Sequence, residues 1–195
     1  MDCDAVAQEG SIEEVIVTAT KRAESLQDIP ISVTAFTGAQ IEAAGVKDIR
    51  DIAGQTPGLQ IKSRGETEGS VFIRGIGSVA PGIGADPAVG IYIDGLYASR
   101  GTNATAAFFD VERVEVVKGP QGTLFGRNSA AGSVNVITAK PSVDGVYGTI
   151  AAEVGNCNHM MALGTLNIPI GYNFAVRGNF MIEQRDSFAH QDAGT

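Results

Sequence analysis

The chain has 195 residues, enough for one domain and part of a second, and 44% of them are hydrophobic, which is enough for a buried core. The 14 Lys and Arg residues are outnumbered by 22 Asp and Glu residues, and the net charge of −8 repels phosphate backbones, which argues against nucleic-acid binding. The two cysteines (Cys3, Cys157) and two histidines (His159, His190) lack metal-ligand spacing, so we expect no metal site and no cofactor.

The amino-terminal residues are predicted to lie outside any folded domain. Residues 1–12 form a polar tail, and Ala5-Val6-Ala7 within it fits either an ordinary tail or the remnant of a secretion signal. Residues 13–20, EEVIVTAT, are β-branched and strand-prone, yet polar sequence surrounds them. We therefore expect an extended segment on a tether rather than part of a core.

Between residues 31 and 141 the pattern predicts a compact α+β unit with long glycine-rich loops. A capping box from Thr37 to Gln40 predicts one short helix, which Gly45 ends, and a second is expected from Asp48 to Ala53. Asp94-Gly95 is a hairpin signal. Strands are predicted over 31–36, 59–62, 71–74, 89–93, 111–117 and 133–138, and a helical turn over 104–109.

After Pro141 the pattern changes to alternating apolar and polar residues. Three segments, 146–155, 160–168 and 172–184, each have about the length of a tilted strand that crosses a bilayer, ~9–11 residues. A soluble, half-buried sheet produces the same alternation. Taken alone, these segments favour the soluble sheet.

The loop between residues 118 and 132 contains four glycines beside Lys118 and Arg127, which suggests a phosphate cradle. A phosphate-binding loop needs Lys and a hydroxyl residue where this chain has Arg127 and Asn128. The glycines of GIGSVA, residues 75–80, precede Pro81-Gly82, which blocks the helix that a dinucleotide site requires.

No catalytic set is predicted either. Both histidines lie in the last forty residues, and we assign no catalytic residue, so the chain is not expected to be an enzyme. Five carboxylates are interpreted as turn and surface groups: Asp94, Asp110, Glu112, Glu115 and Glu153.

Four segments in this order resemble TonB-dependent outer-membrane receptors: EEVIVTATKR (13–22), VFIRGIG (71–77), VGIYIDGLY (89–97) and DVERVEVVKGPQGTLFGRNSAAGSVNVITAKP (110–141). The resemblance spans residues 13–186. It implies an α+β plug domain followed by the first antiparallel strands of a transmembrane β-barrel. The implied division is a tail (1–12), a TonB box with its linker (13–30), the plug (31–141) and about three strands of an incomplete barrel (142–195).

The resemblance implies active uptake of a scarce, large solute, with a ferric siderophore as the expected class and cobalamin, haem and oligosaccharides left open. The plug would gate the barrel of a Gram-negative outer membrane and be pulled by TonB, the energy-transducing periplasmic protein. The alternative is a soluble periplasmic binding module that has the plug fold and no barrel. Three strands cannot close a barrel, so we expect a fragment of a longer receptor.

The same resemblance implies three sets of site residues. The TonB box is predicted at Glu14, Val15, Ile16, Val17, Thr18 and Ala19. Plug-to-barrel anchors are predicted at Arg74, Glu112, Arg113, Lys118 and Arg127. The plug loops that face the ligand are predicted to present Ser78, Asp86, Tyr97, Arg100 and Asn103.

Overall fold

The chain divides into two compact units, Met1–Ala107 with Arg113–Val136, and Phe108–Glu112 with Ile137–Thr195. A computed structural model describes residues 16–18, 22, 24–27, 29–63, 69–78, 86–98 and 108–186. The first unit is a mixed α+β structure and the second is an antiparallel sheet. The predicted fold class is therefore confirmed.

The described elements are short, and their bounds follow chain order. The first ten strands described are β1 (Ile16–Val17), β2 (Glu24–Ser25), β3 (Ser32–Thr37), β4 (Leu59–Ser63), β5 (Gly69–Ile73), β6 (Ile76–Gly77), β7 (Val89–Ile93), β8 (Leu96–Tyr97), β9 (Val111–Lys118) and β10 (Gly132–Thr138). The helices are α1 (Gly38–Ala43), α2 (Ile49–Gln55) and α3 (Gly122–Phe125).

The larger sheet of the first unit has the strand order β3-β9-β10-β7-β8. β3 runs antiparallel to β9, whereas β7 runs parallel to β10, with Ile91 opposite Val134. β9 and β10 are interior strands, and residues 114–117 of β9 are buried on both faces. The β-branched side chains of these strands suit such two-sided burial. Two smaller antiparallel sheets, β4-β5-β6 and β1-β2, complete the unit.

The helices α1 and α2 each begin at a side-chain cap that holds the first turn. The Thr37 hydroxyl accepts a hydrogen bond from the Gln40 amide at 3.3 Å, and the Gln40 side chain accepts one from the Thr37 amide at 3.1 Å, as the capping box predicts. Gly45, at φ +63°, follows the end of α1. The Asp48 carboxylate caps the second helix, which therefore begins one residue later than predicted and continues to Gln55.

Two hairpins of the first unit turn on residue pairs that end in glycine. Asp94 (φ 49°) and Gly95 (φ 81°) join β7 to β8, which confirms the predicted hairpin. Arg74 (φ 53°) and Gly75 (φ 79°) join β5 to β6 in the same way. The prediction that Arg74 ends a strand is therefore wrong, because positive φ at both residues makes this a tight turn.

The predicted helical turn over 104–109 is only partly covered. Residues 104–107 lie outside the described residues, and Phe108 and Phe109 belong to neither a helix nor a strand.

The loop from β9 to β10 contains α3, a four-residue helix that the sequence analysis did not predict. Gly122 in α3 and Gly132 at the start of β10 have different roles. Gly132 has φ +146°, and a Cβ atom there would lie 2.2 Å from the carbonyl oxygen of Val117. A Cβ atom at Gly122 would meet no atom within 4 Å. Close approach of two strands therefore requires glycine at position 132 and not at position 122.

The second unit contains three long antiparallel strands, β11 (Tyr147–Gly155), β12 (His159–Pro169) and β13 (Ala175–Gln184). The predicted start of the third strand at Tyr172 is wrong. In the turn before β13, Gly171 has φ +79° and the Ile170 amide donates to the carbonyl of Phe174 at 2.6 Å, so the ladder begins at Ala175.

The two faces of this sheet differ as the alternation predicts. The register places Ile150 opposite Gly164 and Gly164 opposite Phe180, so one face is apolar across all three strands. Its apolar side chains are largely exposed, and Ile150 is 85% exposed. The opposite face carries Thr149, Thr165 and Asn179 in one row, with the two threonine hydroxyls 2.8 Å apart.

Among the described residues, none of the helices is long and apolar enough to cross a membrane. The same part of the chain contains no group of three or more His, Cys, Asp and Glu side chains that could hold a metal ion.

The contrast between Gly132, the first residue of β10, and Gly122, in the loop before it, is testable. We expect Gly132→Ala to lower the free energy of unfolding by about 2 kcal/mol or more, because the strained φ and the contact with a backbone carbonyl both cost energy. Gly122→Ala is the matched control and should stay within about 1 kcal/mol of the unmodified chain. Chemical denaturation measures both, and equal effects of the two substitutions would contradict this account of the loop.

Candidate functional site: the docked amino-terminal segment

The described part of the predicted partner-binding segment, residues 16–18, is packed within the first unit. Ile16 pairs with Ser25 and Val17 pairs with Glu24 in the antiparallel β1-β2 ladder. The Val17 side chain is fully buried, whereas Ile16 is 54% exposed. The sequence predicts a segment on a free tether, but these residues are docked. Glu14, Val15 and Ala19 lie outside the described residues.

A single carboxylate oxygen of Glu115 accepts hydrogen bonds from Thr18, the last of these three residues. Oε1 of Glu115 accepts hydrogen bonds from the Thr18 amide at 2.7 Å and from the Thr18 hydroxyl at 3.1 Å. It also accepts from Nε of Arg113 at 2.8 Å, and the Arg113 guanidinium donates to the Thr18 hydroxyl at 3.2 Å. Three residues thus form a closed cluster that spans 97 positions of sequence.

The Glu115 side chain has no exposed surface, and its other oxygen, Oε2, has no hydrogen-bond partner among the described residues. A buried carboxylate is costly unless it is paired and hydrogen-bonded, so this cluster is what makes its burial tolerable. The interpretation of Glu115 as a surface residue is wrong, because β9 is covered on both faces. The run VEVV, with its charge between three valines, is the signal that could have indicated a buried strand.

The five predicted anchors differ in their exposure and contacts. Arg74, Glu112 and Arg127 are exposed and Lys118 is half-buried, opposite Ser32 at the end of the β3-β9 ladder. Arg113 contacts Glu115 and Thr18 within the first unit. Anchoring of a plug to a barrel stays a prediction for these five residues.

Among the residues predicted to face the ligand, Tyr97 contacts both Asn128 and Tyr92. Its hydroxyl accepts a hydrogen bond from the Asn128 side chain at 2.7 Å, and its ring lies 5.6 Å from that of Tyr92. The Tyr92 hydroxyl donates to the carbonyl of Phe125 at 2.8 Å, and burial raises the pKa of Tyr92. Tyr97 is thus tied to the glycine-rich loop around α3.

The other four residues predicted to face the ligand differ in exposure and in coverage by the structure. Ser78 is half-buried and Asp86 is exposed, while Arg100 and Asn103 lie outside the described residues.

In the second unit, the sequence analysis missed a bidentate ion pair. Arg177 of β13 donates to both carboxylate oxygens of Asp110, at 2.6 Å each, and Asn179 adds a third bond at 3.1 Å. Only 12% and 7% of the Arg177 and Asp110 side chains are exposed, so Asp110 is not the surface residue that was expected. The hydrogen bonds from Arg177 lower the pKa of Asp110, against the opposing effect of burial.

A buried amide was also missed. Asn167 of β12 donates to the carbonyls of Ser142 and Gly145 at 2.8 and 2.9 Å and accepts from the Ser142 amide at 2.9 Å. Asn167 has no exposed surface, so these bonds satisfy side-chain polar atoms that would otherwise be buried without hydrogen-bond partners. They hold the segment that enters β11 against the middle strand of its own sheet.

Comparisons with known proteins agree with this architecture. Residues 25–133 match the family model described as TonB-dependent Receptor Plug Domain. The match covers more than half of the chain, and the chain belongs to this family.

Three similar proteins are named as receptors or as a transporter. The pesticin receptor of Yersinia pestis is 33% identical over 129 residues, which is 65% of this chain and 19% of that protein. The vitamin B12 transporter BtuB of Vibrio vulnificus is 33% identical over 128 residues, 65% of this chain and 20% of that protein. The catecholate siderophore receptor Fiu of Escherichia coli is 31% identical over 173 residues, 84% of this chain and 21% of that protein. The chain spans about a fifth of the length of these relatives.

The structural likeness includes more than the plug. The ferric yersiniabactin uptake receptor FyuA of Yersinia pestis superposes with a TM-score of 0.68 at 28% identity, covering 80% of this chain and 24% of that one. This share is larger than the residues matched by the family model, so the likeness extends beyond residues 25–133.

The ion pair of the second unit is expected to contribute to stability in a pH-dependent way. Asp110→Asn should lower the free energy of unfolding by about 3 kcal/mol at pH 7, because it leaves a nearly buried guanidinium without its charged partner. The pKa of Asp110 is lower in the folded state, so its contribution is present above an unfolded-state pKa of about 3.9 and is lost as the pH falls through the folded-state pKa.

The measurement is chemical denaturation of the chain and of Asp110→Asn at pH 7 and at several values below 4. The difference in the free energy of unfolding between the unmodified chain and Asp110→Asn should become smaller only at the acid pH values. Asp186→Asn, at an exposed carboxylate of the same unit, is the control and should change stability little at either pH. A difference that stays constant down to pH 2 would contradict the role given to this pair.

Proposed function

We propose that the chain is the amino-terminal part of a TonB-dependent outer-membrane receptor for active uptake of a scarce, large solute, with a ferric siderophore as the substrate class. The supporting observation is that one chain joins a member of the plug family to a sheet with one continuous apolar face. Amphipathic strands of this length, with an exposed apolar face, suit a barrel wall against lipid.

The proposed location follows from these two parts. The three strands would enter the outer membrane of a Gram-negative bacterium, the plug would occupy the lumen, and the amino terminus would face the periplasm. A soluble periplasmic module with the plug fold is the competing function. The exposed apolar face, which includes Ile150, Val154 and Ile182, disfavours it because water-soluble monomers rarely expose patches of this extent.

The substrate class is supported by the names of the relatives. Two of the similar proteins are named for catecholate siderophores and ferric yersiniabactin, and one is named for vitamin B12. Cobalamin is therefore the main competing substrate. In this proposal the plug performs no chemical reaction on the solute. Its residues bind the solute, block the barrel lumen and move when TonB pulls on the amino-terminal segment.

The proposed partner is TonB, which would bind the segment around Ile16-Val17-Thr18 by strand addition. An extended β-branched segment offers main-chain hydrogen bonds to the edge of a partner sheet. The work of transport would then come from the inner-membrane proton gradient and would reach the plug as a pull on this segment.

The partner assignment is tested by a proline at an exposed position of the segment. In the full-length receptor, Ile16→Pro should abolish TonB-dependent uptake of the siderophore while leaving its binding to cells unchanged, because proline removes a backbone donor. Ile16→Val keeps the donor and the β-branched side chain and should transport normally. Equal loss of binding and uptake in Ile16→Pro would show that this segment belongs to the ligand site instead.

The ligand assignment is tested at the predicted plug loops. Replacing Tyr97, Arg100 and Asn103 together with alanine should weaken binding of a ferric siderophore to the full-length receptor by about tenfold or more, because an arginine beside an aromatic ring suits an anionic chelate. Titration with siderophore and, in parallel, with cobalamin measures the change and its specificity. An unchanged affinity of the triple variant for both solutes would refute the placement of the ligand on these loops.

A further inference from the structure

We propose that the Tyr97 hydroxyl, held in place by Asn128 of the β9–β10 loop, is a hydrogen-bond donor for an anionic oxygen atom of the solute. This inference deepens the proposed function and rests on it for the identity of the solute, a ferric siderophore. Asn128 is a positioning residue in this proposal, and Tyr97 is the residue that contacts the solute.

The hydrogen bond between Tyr97 and Asn128 has a defined direction. A phenol hydroxyl has one proton to donate and two lone pairs, whereas the side-chain nitrogen of asparagine can only donate. Nδ2 of Asn128 lies 2.7 Å from the Tyr97 oxygen, so Asn128 is the donor and the Tyr97 proton is not used in this bond. Within the part of the chain that the structure describes, no other group accepts that proton. It is therefore available to a group outside this part of the chain.

The neighbouring Tyr92 shows the opposite arrangement. Its hydroxyl donates to the carbonyl of Phe125 at 2.8 Å, and the residue is only 5% exposed. Burial raises the pKa of Tyr92, which keeps that proton on the hydroxyl. Tyr97, in contrast, is half-buried. One tyrosine of the pair thus uses its proton inside the fold, and the other keeps its proton for a partner near the surface.

Packed rings hold the Tyr97 hydroxyl in a fixed position. Tyr97 lies opposite Tyr92 in the β7-β8 ladder with the ring centroids 5.6 Å apart, and the Tyr92 ring lies 4.9 Å from that of Phe125. A Cβ atom at Gly90 would lie 2.6 Å from the Tyr92 ring and 3.1 Å from the carbonyl oxygen of Asn128, so the loop covers β7 closely. A donor that is fixed before the solute arrives loses little conformational entropy on binding.

The backbone around Asn128 is held by hydrogen bonds within its own loop. The Ser129 hydroxyl donates to the carbonyl of Gly126 at 2.7 Å, and the Gln121 amide donates to the carbonyl of Ser129 at 2.9 Å. Asn128 has φ 69°, in the left-handed region that asparagine and aspartate adopt more readily than most residues. The loop therefore tolerates an exchange of Asn128 for aspartate, which reverses the direction of the hydrogen bond to Tyr97.

The acceptor that suits this donor is an ionised oxygen. Ferric chelates hold the metal with anionic oxygen atoms, and a hydrogen bond to an ionised acceptor is roughly twice as strong as one between neutral groups. The bond from Asn128 also polarises the Tyr97 hydroxyl, which strengthens it as a donor. A solute that lacks an acceptor at this point would leave the Tyr97 proton without a partner, so the contact selects between solutes.

The direction of the hydrogen bond can be measured without any solute by carbon-13 NMR of the 195-residue chain in detergent micelles, with the label at Cζ of its four tyrosines. Tyr97→Phe assigns the Tyr97 signal. In Asn128→Asp the carboxylate can only accept, so it captures the Tyr97 proton, and the signal should move downfield. An upfield move in Asn128→Ala would mean that Tyr97 donates to Asn128 in the unmodified chain, and this result or an unmoved signal in Asn128→Asp would overturn the proposal.

Binding is measured in the full-length receptor with a ferric catecholate siderophore as the probe. Tyr97→Phe keeps the ring, removes the donor and should weaken binding by about tenfold. Asn128→Asp should weaken binding at least as much, because its carboxylate takes the Tyr97 proton and repels the anionic probe. Tyr172→Phe removes the hydroxyl of a residue that is 98% exposed in the turn before β13, and this control should bind as tightly as the unmodified receptor.

A double-mutant cycle separates positioning from a structural role of Asn128. Asn128→Ala alone should weaken binding by about threefold, because the Tyr97 hydroxyl keeps its proton but loses its support. In the Tyr97→Phe background the same substitution should cause no further loss, because Asn128 acts through the hydroxyl. Additive losses would overturn the positioning role.

The outcomes distinguish this contact from the proposed function. Unchanged affinity of Tyr97→Phe, in a receptor whose unmodified form binds and transports the probe, would overturn the contact and leave the proposed function standing. Failure of the unmodified receptor to bind the probe would refute the proposed substrate class and the contact together. An equal loss of affinity in Tyr172→Phe would show a general effect of removing a hydroxyl and would also overturn the contact.

Discussion

The burial of one carboxylate constrains the arrangement of the first unit. Glu115 lies in the middle of an interior strand, where neither face of the sheet meets water. A charge in that position has to be met by donors from within the protein, and those donors come from the neighbouring Arg113 and from Thr18, far away in sequence. The amino-terminal segment is therefore held by the hydrogen bonds between Thr18 and the buried Glu115 carboxylate as well as by the burial of Val17.

Local signals in the sequence predicted much of the first unit. The capping box at Thr37, the Asp94-Gly95 turn and the β-branched runs each specify their own backbone geometry, and each appears where it was expected. The turn at Arg74 was missed because arginine has no particular preference for a positive φ, and only the following glycine indicated it.

The contacts that define the candidate site could not be predicted in the same way. Each depends on partners that are distant in the chain, such as Glu115 with Thr18 and Asp110 with Arg177. A carboxylate in a single sequence is most often exposed, so both acidic residues were interpreted as surface groups. The pairing of β9 with neighbours on both sides decides the burial of Glu115, whereas Asp110 is covered by its ion pair with Arg177 of β13.

The β1-β2 pairing has a mechanical consequence. Because the two strands are antiparallel and the Ile16–Ser25 pair lies at the open end of the ladder, a force applied ahead of Ile16 loads the cross-strand bonds one after another. The next strand along the chain, β3, pairs with β9 from Ser32 onward, so it too would separate from its first residue inwards. Cross-strand hydrogen bonds that break one after another give way at a lower pulling force than hydrogen bonds that are all loaded at the same time. A steady pull from the amino terminus would therefore peel this part of the protein in small steps, each of which can reverse when the tension falls.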